Sequence, residues 1–306
     1  MAGRYAKAAR NVAADAVAHA VAALPPLERV FREVGTHVHD RPLVEAFHRR
    51  TRDTLTDLWK RRGTRFRPVT VGGVVVTMDV TEFTCHRLYF HGETYEPATI
   101  TCLVEHLRPG QTFVDVGANH GYFTVVAARL VGPTGRVFAF EPNPPVFEQL
   151  SEHVARNRLT NVTTERTALA SRDGALELFV SACAGNSGLS SITPGSHAFT
   201  SGSLDRDSRV QVRATTFDRW RQERGLDRID LMKIDVEGAE MLVLQGMTET
   251  LASAPPARII CESHGLGETG EDHARRLLLA QGYEAADLDA DESHRIALFT
   301  RRPARS

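Results

Sequence analysis

The stretch TFVDVGANHGYFTVVAARL, residues 112–130, decides the fold. A short apolar run leads into Gly117-Ala118-Asn119-His120-Gly121, and apolar residues at helical spacing follow. That order predicts a buried strand, a tight turn and an amphipathic helix in succession. Gly117 and Gly121 let the backbone approach a ligand closely. The helix starting near Tyr122 points its unpaired N–H groups at the same place, so the turn reads as a cradle for a nucleotide-like molecule.

Outward from this turn the chain alternates strand and helix, the pattern of βαβ units around a parallel sheet. Strands are predicted at 112–116, 137–140, 162–166, 229–234 and 259–261, with helices at 122–130, 145–157 and 239–246. Two further strands, 283–286 and 295–300, are expected to pair antiparallel at one edge. Upstream, a helix over 98–107 stops at Pro109-Gly110. The β-branched run VTVGGVVVTM at 69–78 signals a hairpin that begins the catalytic unit. Residues 1–66 read as a helical extension, with helices near 6–24, 27–34 and 43–60, that caps the site or builds a homodimer. Residues 67–306 then form the catalytic domain. Lys60, Arg61, Arg62, Arg65 and Arg67 read as a solvated linker rather than an anion site. A Gly/Ser/Asp-rich insertion at 176–212 is too polar for core and long enough for a substrate loop.

Composition narrows the function classes. Lys+Arg number 37 and Asp+Glu 38, a balance that argues against binding nucleic acid through its phosphates. No run of about 18 apolar residues exists to span a bilayer, and the first twenty residues are broken by Arg10, Asp15 and His19. Cys85, Cys102, Cys183 and Cys261 are scattered without a CxxC pair, so neither a zinc site nor a disulfide framework is indicated. A cytoplasmic chain acting on a small molecule is the expectation.

Glu141 closes the second strand in VFAFEPNP, where a carboxylate can accept both hydroxyls of a ribose. The turn reads Gly-Ala-Asn-His-Gly, not G-x-G-x-x-G, and lacks the second glycine that a dinucleotide pyrophosphate needs. S-adenosylmethionine, which has no pyrophosphate, fits the pattern better than a nicotinamide dinucleotide. In IDLMKIDVEGAEMLVLQGM, residues 229–247, Asp235, Glu237 and Glu240 fall where a strand becomes a helix, the ligand side of such a sheet. Glu240 reads mainly as a helix-start acid. IICESHG then supplies Glu262 and His264, and a neutral imidazole there could take a proton from a substrate hydroxyl.

At these residues the sequence resembles the FkbM-type family of class I S-adenosylmethionine-dependent methyltransferases. DVGANHGYFT (115–124) looks like its first cofactor motif, FEPNP (140–144) its ribose acid and LMKIDVEGAE (231–240) its diagnostic segment; the likeness runs from about 91 to 264. The resemblance implies an α/β, doubly wound, mostly parallel seven-stranded sheet of Rossmann-like type. It implies a cofactor shell of Glu96, Asp115, Gly117, Asn119, Gly121, Glu141, Asn143 and Asp235, with the turn Thr167-Ala168-Leu169 near adenine. Asn186, Ser187 and Gly188 look like a short polar motif of the family, read here as a turn. Methyl transfer to oxygen on a small metabolite or glycan is the implied reaction, with His264, Asp235 and Glu262 as candidate proton acceptors. N-methylation and a noncatalytic S-adenosylmethionine-binding protein are the alternatives. No metal is assigned: Asp235, Glu237, Glu262 and His264 could converge on Mg²⁺, but no fixed ligand pattern such as H-E-x-x-H is present.

Overall fold

The computed structural model describes residues 2–35, 42–91, 94–181, 204–264, 272–290 and 294–302. By its internal contacts the chain divides into two compact units, Met1–Val71 with Val75–Tyr95, and Gly72–Val74 with Glu96–Ser306.

The first unit contains helices Ala2–Ala23, Pro25–Gly35 and Pro42–Arg62, then the hairpin strands β1 (Phe66–Val71) and β2 (Val74–Asp79), then helix Phe83–His91. The hairpin, expected to open the catalytic unit, falls mostly within the first unit. Aromatic packing holds its core. Trp59 stacks on Phe90 and meets Tyr89 edge-on, each at 5.8 Å between ring centroids. The basic stretch is not a linker: Lys60, Arg61 and Arg62 end the third helix, where positive charge suits the helix dipole. Arg65 pairs with Asp79 at 2.6 Å, and the Arg67 guanidinium lies 4.4 Å from the Trp59 ring centroid.

The second unit carries β3 (Thr112–Val116), β4 (Arg136–Phe140), β5 (Val162–Glu165), β6 (Ala168–Leu169), β7 (Gly174–Ser181), β8 (Leu204–Thr215), β9 (Leu231–Ile234), β10 (Arg258–His264), β11 (Tyr283–Ala290) and β12 (His294–Arg301). Seven of these form one sheet in the order β11-β12-β10-β9-β3-β4-β5. β3 runs parallel to β4 and β9, β4 to β5 and β9 to β10, while β12 is antiparallel to β10 and β11. This is the doubly wound, mostly parallel α/β architecture expected, with its one reversed strand, β12, between β10 and the edge strand β11. All five residues of β3 are buried, as a central strand covered on both faces requires. From β3 the chain crosses through helix Tyr122–Val131 to β4 on one side, while β9 lies on the other. The reversal of strand order at β3 therefore opens a crevice beyond the carboxyl ends of β3 and β9.

Two features escaped the sequence reading. Helix Phe217–Glu223 buries Trp220, whose ring meets Phe138 and Phe140 edge-on at 5.0 and 4.8 Å. The insertion is also not a polar loop at its flanks, because β7 and β8 pair antiparallel and β8 pairs with β6. Leu178 and Val212 pack with Ala168, Ala170 and Ala214. The alternation Leu176-Glu177-Leu178 facing Val210-Gln211-Val212 is a period-2 strand signal, which the polar composition of the whole segment obscured. Asn186, Ser187 and Gly188 lie outside the described residues.

Candidate active site

The turn after β3 is shaped by steric necessity. Gly117 has φ +81°, and a Cβ there would come within 1.8 Å of the Asp235 carbonyl oxygen, so no side chain fits. Its N–H and that of Ala118 donate to the Phe140 carbonyl at 3.0 and 2.9 Å, tying the turn to the end of β4. Gly121, φ +90°, abuts Leu150 and starts the helix.

Glu141 sits between two loops. The Asn119 N–H donates to its Oε2 at 3.0 Å and the Asn143 N–H to its Oε1 at 2.8 Å. Each oxygen keeps a second lone pair for a ligand hydroxyl. Burial pushes the carboxyl up to about 7, against the pull of those two N–H groups. Asn119 and Asn143 thus serve through their backbones.

A cleft opens here beyond the carboxyl ends of β3 and β9. Gly117, Asn119, Glu141, Thr167, Ala168, Leu169, Asp235 and Glu237 all line it, as does Leu178 of β7, a wall residue the sequence reading missed. Of the remaining cofactor candidates, Asp115 is fully buried, with Oδ2 accepting from the Thr124 hydroxyl at 2.6 Å. Glu96, φ 43°, begins helix Pro97–His106 and accepts from the Thr99 hydroxyl at 2.9 Å. Asp115 Oδ1 and Glu96 Oε1 are buried without a hydrogen-bond partner.

The far side of the cleft is a charge network. Lys233 is buried in the middle of β9; its Nζ donates to Asp235 Oδ2 at 2.6 Å and lies 4.6 Å from the Phe123 ring centroid. Burial opposes its charge, but Asp235, Glu96, Asp115 and Glu262 outweigh that and hold the ammonium above its ordinary pKa. A lysine inside the otherwise apolar LMKI was the available signal for this residue. His264 ends β10 with Nδ1 3.0 Å from Glu240 Oε1 and Nε2 3.1 Å from Glu262 Oε1. Burial again opposes its charge, yet those two hydrogen bonds, with Asp235 and Glu237 nearby, push the imidazole up to about 12. The imidazole read from the sequence as a free proton acceptor thus has both ring nitrogens facing carboxylates, which favour its charged form. Glu240 does more than start a helix, since it also anchors His264. Asp235, Glu237 and His264, and likewise Glu96, Asp235 and Glu262, bring potential ligand atoms within 4.8 Å of one another. Lys233 and His264 already supply positive charge to both groups.

A glycine turn after β3, an acid closing β4 and a cleft at the switch point are features of the doubly wound α/β class. The family model for the methyltransferase FkbM domain matches residues 115–285, and the chain belongs to that family. It is 31% identical over 158 residues to the hexuronic acid methyltransferase AglP of Haloferax volcanii, covering 52% of this chain and 59% of that protein. It is 31% identical over 169 residues to the methyltransferase sdnD of Sordaria araneosa, covering 48% and 64%. The 2-O-methyltransferase NoeI of Sinorhizobium fredii is 29% identical over 152 residues, covering 47% and 60%. The chain thus spans about three-fifths of the length of these relatives.

Proposed function

We propose that this chain transfers a methyl group from S-adenosylmethionine to a hydroxyl of a small metabolite or glycan. The observation that carries the reading is the pairing of the Gly117 turn with Glu141 across one cleft. Gly117 lets the turn pack against the Asp235 carbonyl so that both line the cleft, and Glu141 offers lone pairs to two ribose hydroxyls. Ala168, Leu169 and Leu178 provide the apolar wall that an adenine needs. The unpartnered oxygens of Asp115 and Glu96 suit the ammonium of the cofactor's methionine part. Family membership supports the reaction class, and the names of AglP and NoeI support a sugar oxygen as acceptor.

When bound, S-adenosylmethionine supplies a methyl carbon already activated by its sulfonium. The chain's own task is alignment, which can lower a barrier by roughly 7 to 11 kcal/mol. Glu141 fixes one end of the cleft, and the Lys233–Asp235 pair holds a carboxylate in place at the other. No metal enters this reading.

Calorimetry with S-adenosylmethionine and S-adenosylhomocysteine, followed by transfer of a labelled methyl group to a panel of hexose and hexuronic acid methyl glycosides, tests it. Binding of both and labelling of a hydroxyl is expected. Affinity for a nicotinamide dinucleotide with none for either compound would overturn it.

A further inference from the structure

His264 has both ring nitrogens engaged by carboxylates, Nδ1 by Glu240 and Nε2 by Glu262, which leaves the question of which group takes the acceptor's proton. The carboxylates around it are not equivalent. Asp235 is bound to the Lys233 ammonium at 2.6 Å. Glu262 Oε1 and Glu240 Oε1 are both engaged with His264, and Glu240 also accepts the Gly238 N–H at 2.9 Å. Among the residues of this network only Asp235 and Glu237 line the cleft. Glu237 stands on the loop after β9 with φ 51°, a left-handed backbone that a non-glycine residue adopts rarely. That conformation belongs to the same turn that brings the Asp235 carbonyl against Gly117.

We propose that Glu237 is the catalytic base of this chain, accepting the proton of the acceptor hydroxyl; the assignment rests on the methyl-transfer reading above. As the acceptor oxygen bonds to the methyl carbon, the carbon–sulfur bond breaks and sulfur keeps the electron pair. The hydroxyl proton passes to a Glu237 oxygen and leaves to solvent afterwards. Glu237 faces Asp235 and Glu240 from its own side and Glu262 and His264 from β10, with His264 Nε2 3.7 Å from its Oε2. Burial pushes its carboxyl up, against the pull of His264 and together with the repulsion of Asp235, Glu262 and Glu240, to about 8. A base with that affinity is matched to work near neutral pH.

The test is E237Q, which keeps the shape and removes the basicity. S-adenosylhomocysteine should still bind by calorimetry, with the fall in turnover well beyond any loss of affinity, since a base acts on the reaction step. Methyl transfer to the hydroxyl panel should fall about 100-fold or more, and the rise of rate with pH near 8 should vanish. In cofactor-free protein labelled with ¹³C-glutamate, one carboxyl resonance titrating near pH 8 should be missing from E237Q. Wild-type transfer rates in E237Q overturn the assignment of Glu237 alone. Failure of the wild type to bind S-adenosylhomocysteine overturns the methyl-transfer reading and the base with it.

Discussion

At the Glu141 end of the cleft a carboxylate is held by two backbone N–H groups, whereas at the Asp235 end the carboxylates are held by Lys233 and His264. Backbone donors are neutral and fixed by the turns that carry them, so Glu141 can gain a proton without disturbing its frame. The other end has no such independence. Its acids and cations cancel one another, and each group's position depends on the charge of its neighbours. Glu141 should therefore titrate without moving its neighbours, whereas the other end should give way on loss of a counter-ion.

The largest effect should come from breaking the charged end. Lys233→Met leaves Asp235, Asp115, Glu96 and Glu262 without the buried cation they surround. Removing one partner of a buried ion pair costs about 3 to 5 kcal/mol. Denaturant unfolding should show that loss; a change below about 1 kcal/mol would mean that the network is solvated and carries little energy. Next comes Gly117→Ala, which attacks the backbone end by placing a methyl group 1.8 Å from a carbonyl in a left-handed conformation. A cost of about 2 to 4 kcal/mol and loss of cofactor binding are expected. Wild-type affinity in that variant would break the claim that the turn is the cradle.

Glu141→Gln sharpens the contrast without disrupting either frame. Cofactor affinity should fall by about 1.5 to 3 kcal/mol, the worth of hydrogen bonds to a charged acceptor. The pH dependence has a definite sign. Glu141 takes its proton at about 7 when folded against 4.5 ordinarily, so between those values the folded chain holds a proton that the unfolded chain has released. This group therefore lowers stability above pH 7, and its cost disappears as the pH falls toward 4.5. Affinity runs the opposite way, because ribose hydroxyls donate to the ionised form, and should climb as pH rises through 7. Calorimetry and unfolding at pH 6 and 8 should find both slopes in wild type and shallower ones in the glutamine variant, where the titration of Glu237 remains.

The same difference explains how much the amino-acid sequence discloses. Gly117, Gly121 and Glu141 are legible because a local backbone requirement forces a residue type at a fixed place in a strand–turn–helix unit. β3 and helix Tyr122–Val131 follow from apolar periodicity alone. The charged end is assembled from β9, β10 and the helix starts at Glu96 and Glu240, more than 160 residues apart at the extremes, and no local pattern reports whether a histidine there meets one carboxylate or three. Position identified His264 as important, but its charge state is a property of the assembled cluster. Leu178 was hidden for a related reason: its strand pairs across residues 182–203, so composition dominated over the short alternation on either side.

The smallest effect is expected from chelation, and it decides whether the charged end is complete without an ion. A divalent cation at Asp235, Glu237 and His264 would have to displace the proton that makes His264 an imidazolium. At Glu96, Asp235 and Glu262 it would compete with the Lys233 ammonium already 2.6 Å from Asp235. Both resident cations are covalent parts of the chain, so their local concentration exceeds that of any dissolved ion. EDTA should therefore leave thermal stability and methyl transfer unchanged. An ion bound at 100 times its Kd would instead add about 2.7 kcal/mol. A Mg²⁺-dependent rise of that size, abolished in Asp235→Asn, would show that Lys233 and His264 do not suffice and would make the two ends differ in kind as well as in construction.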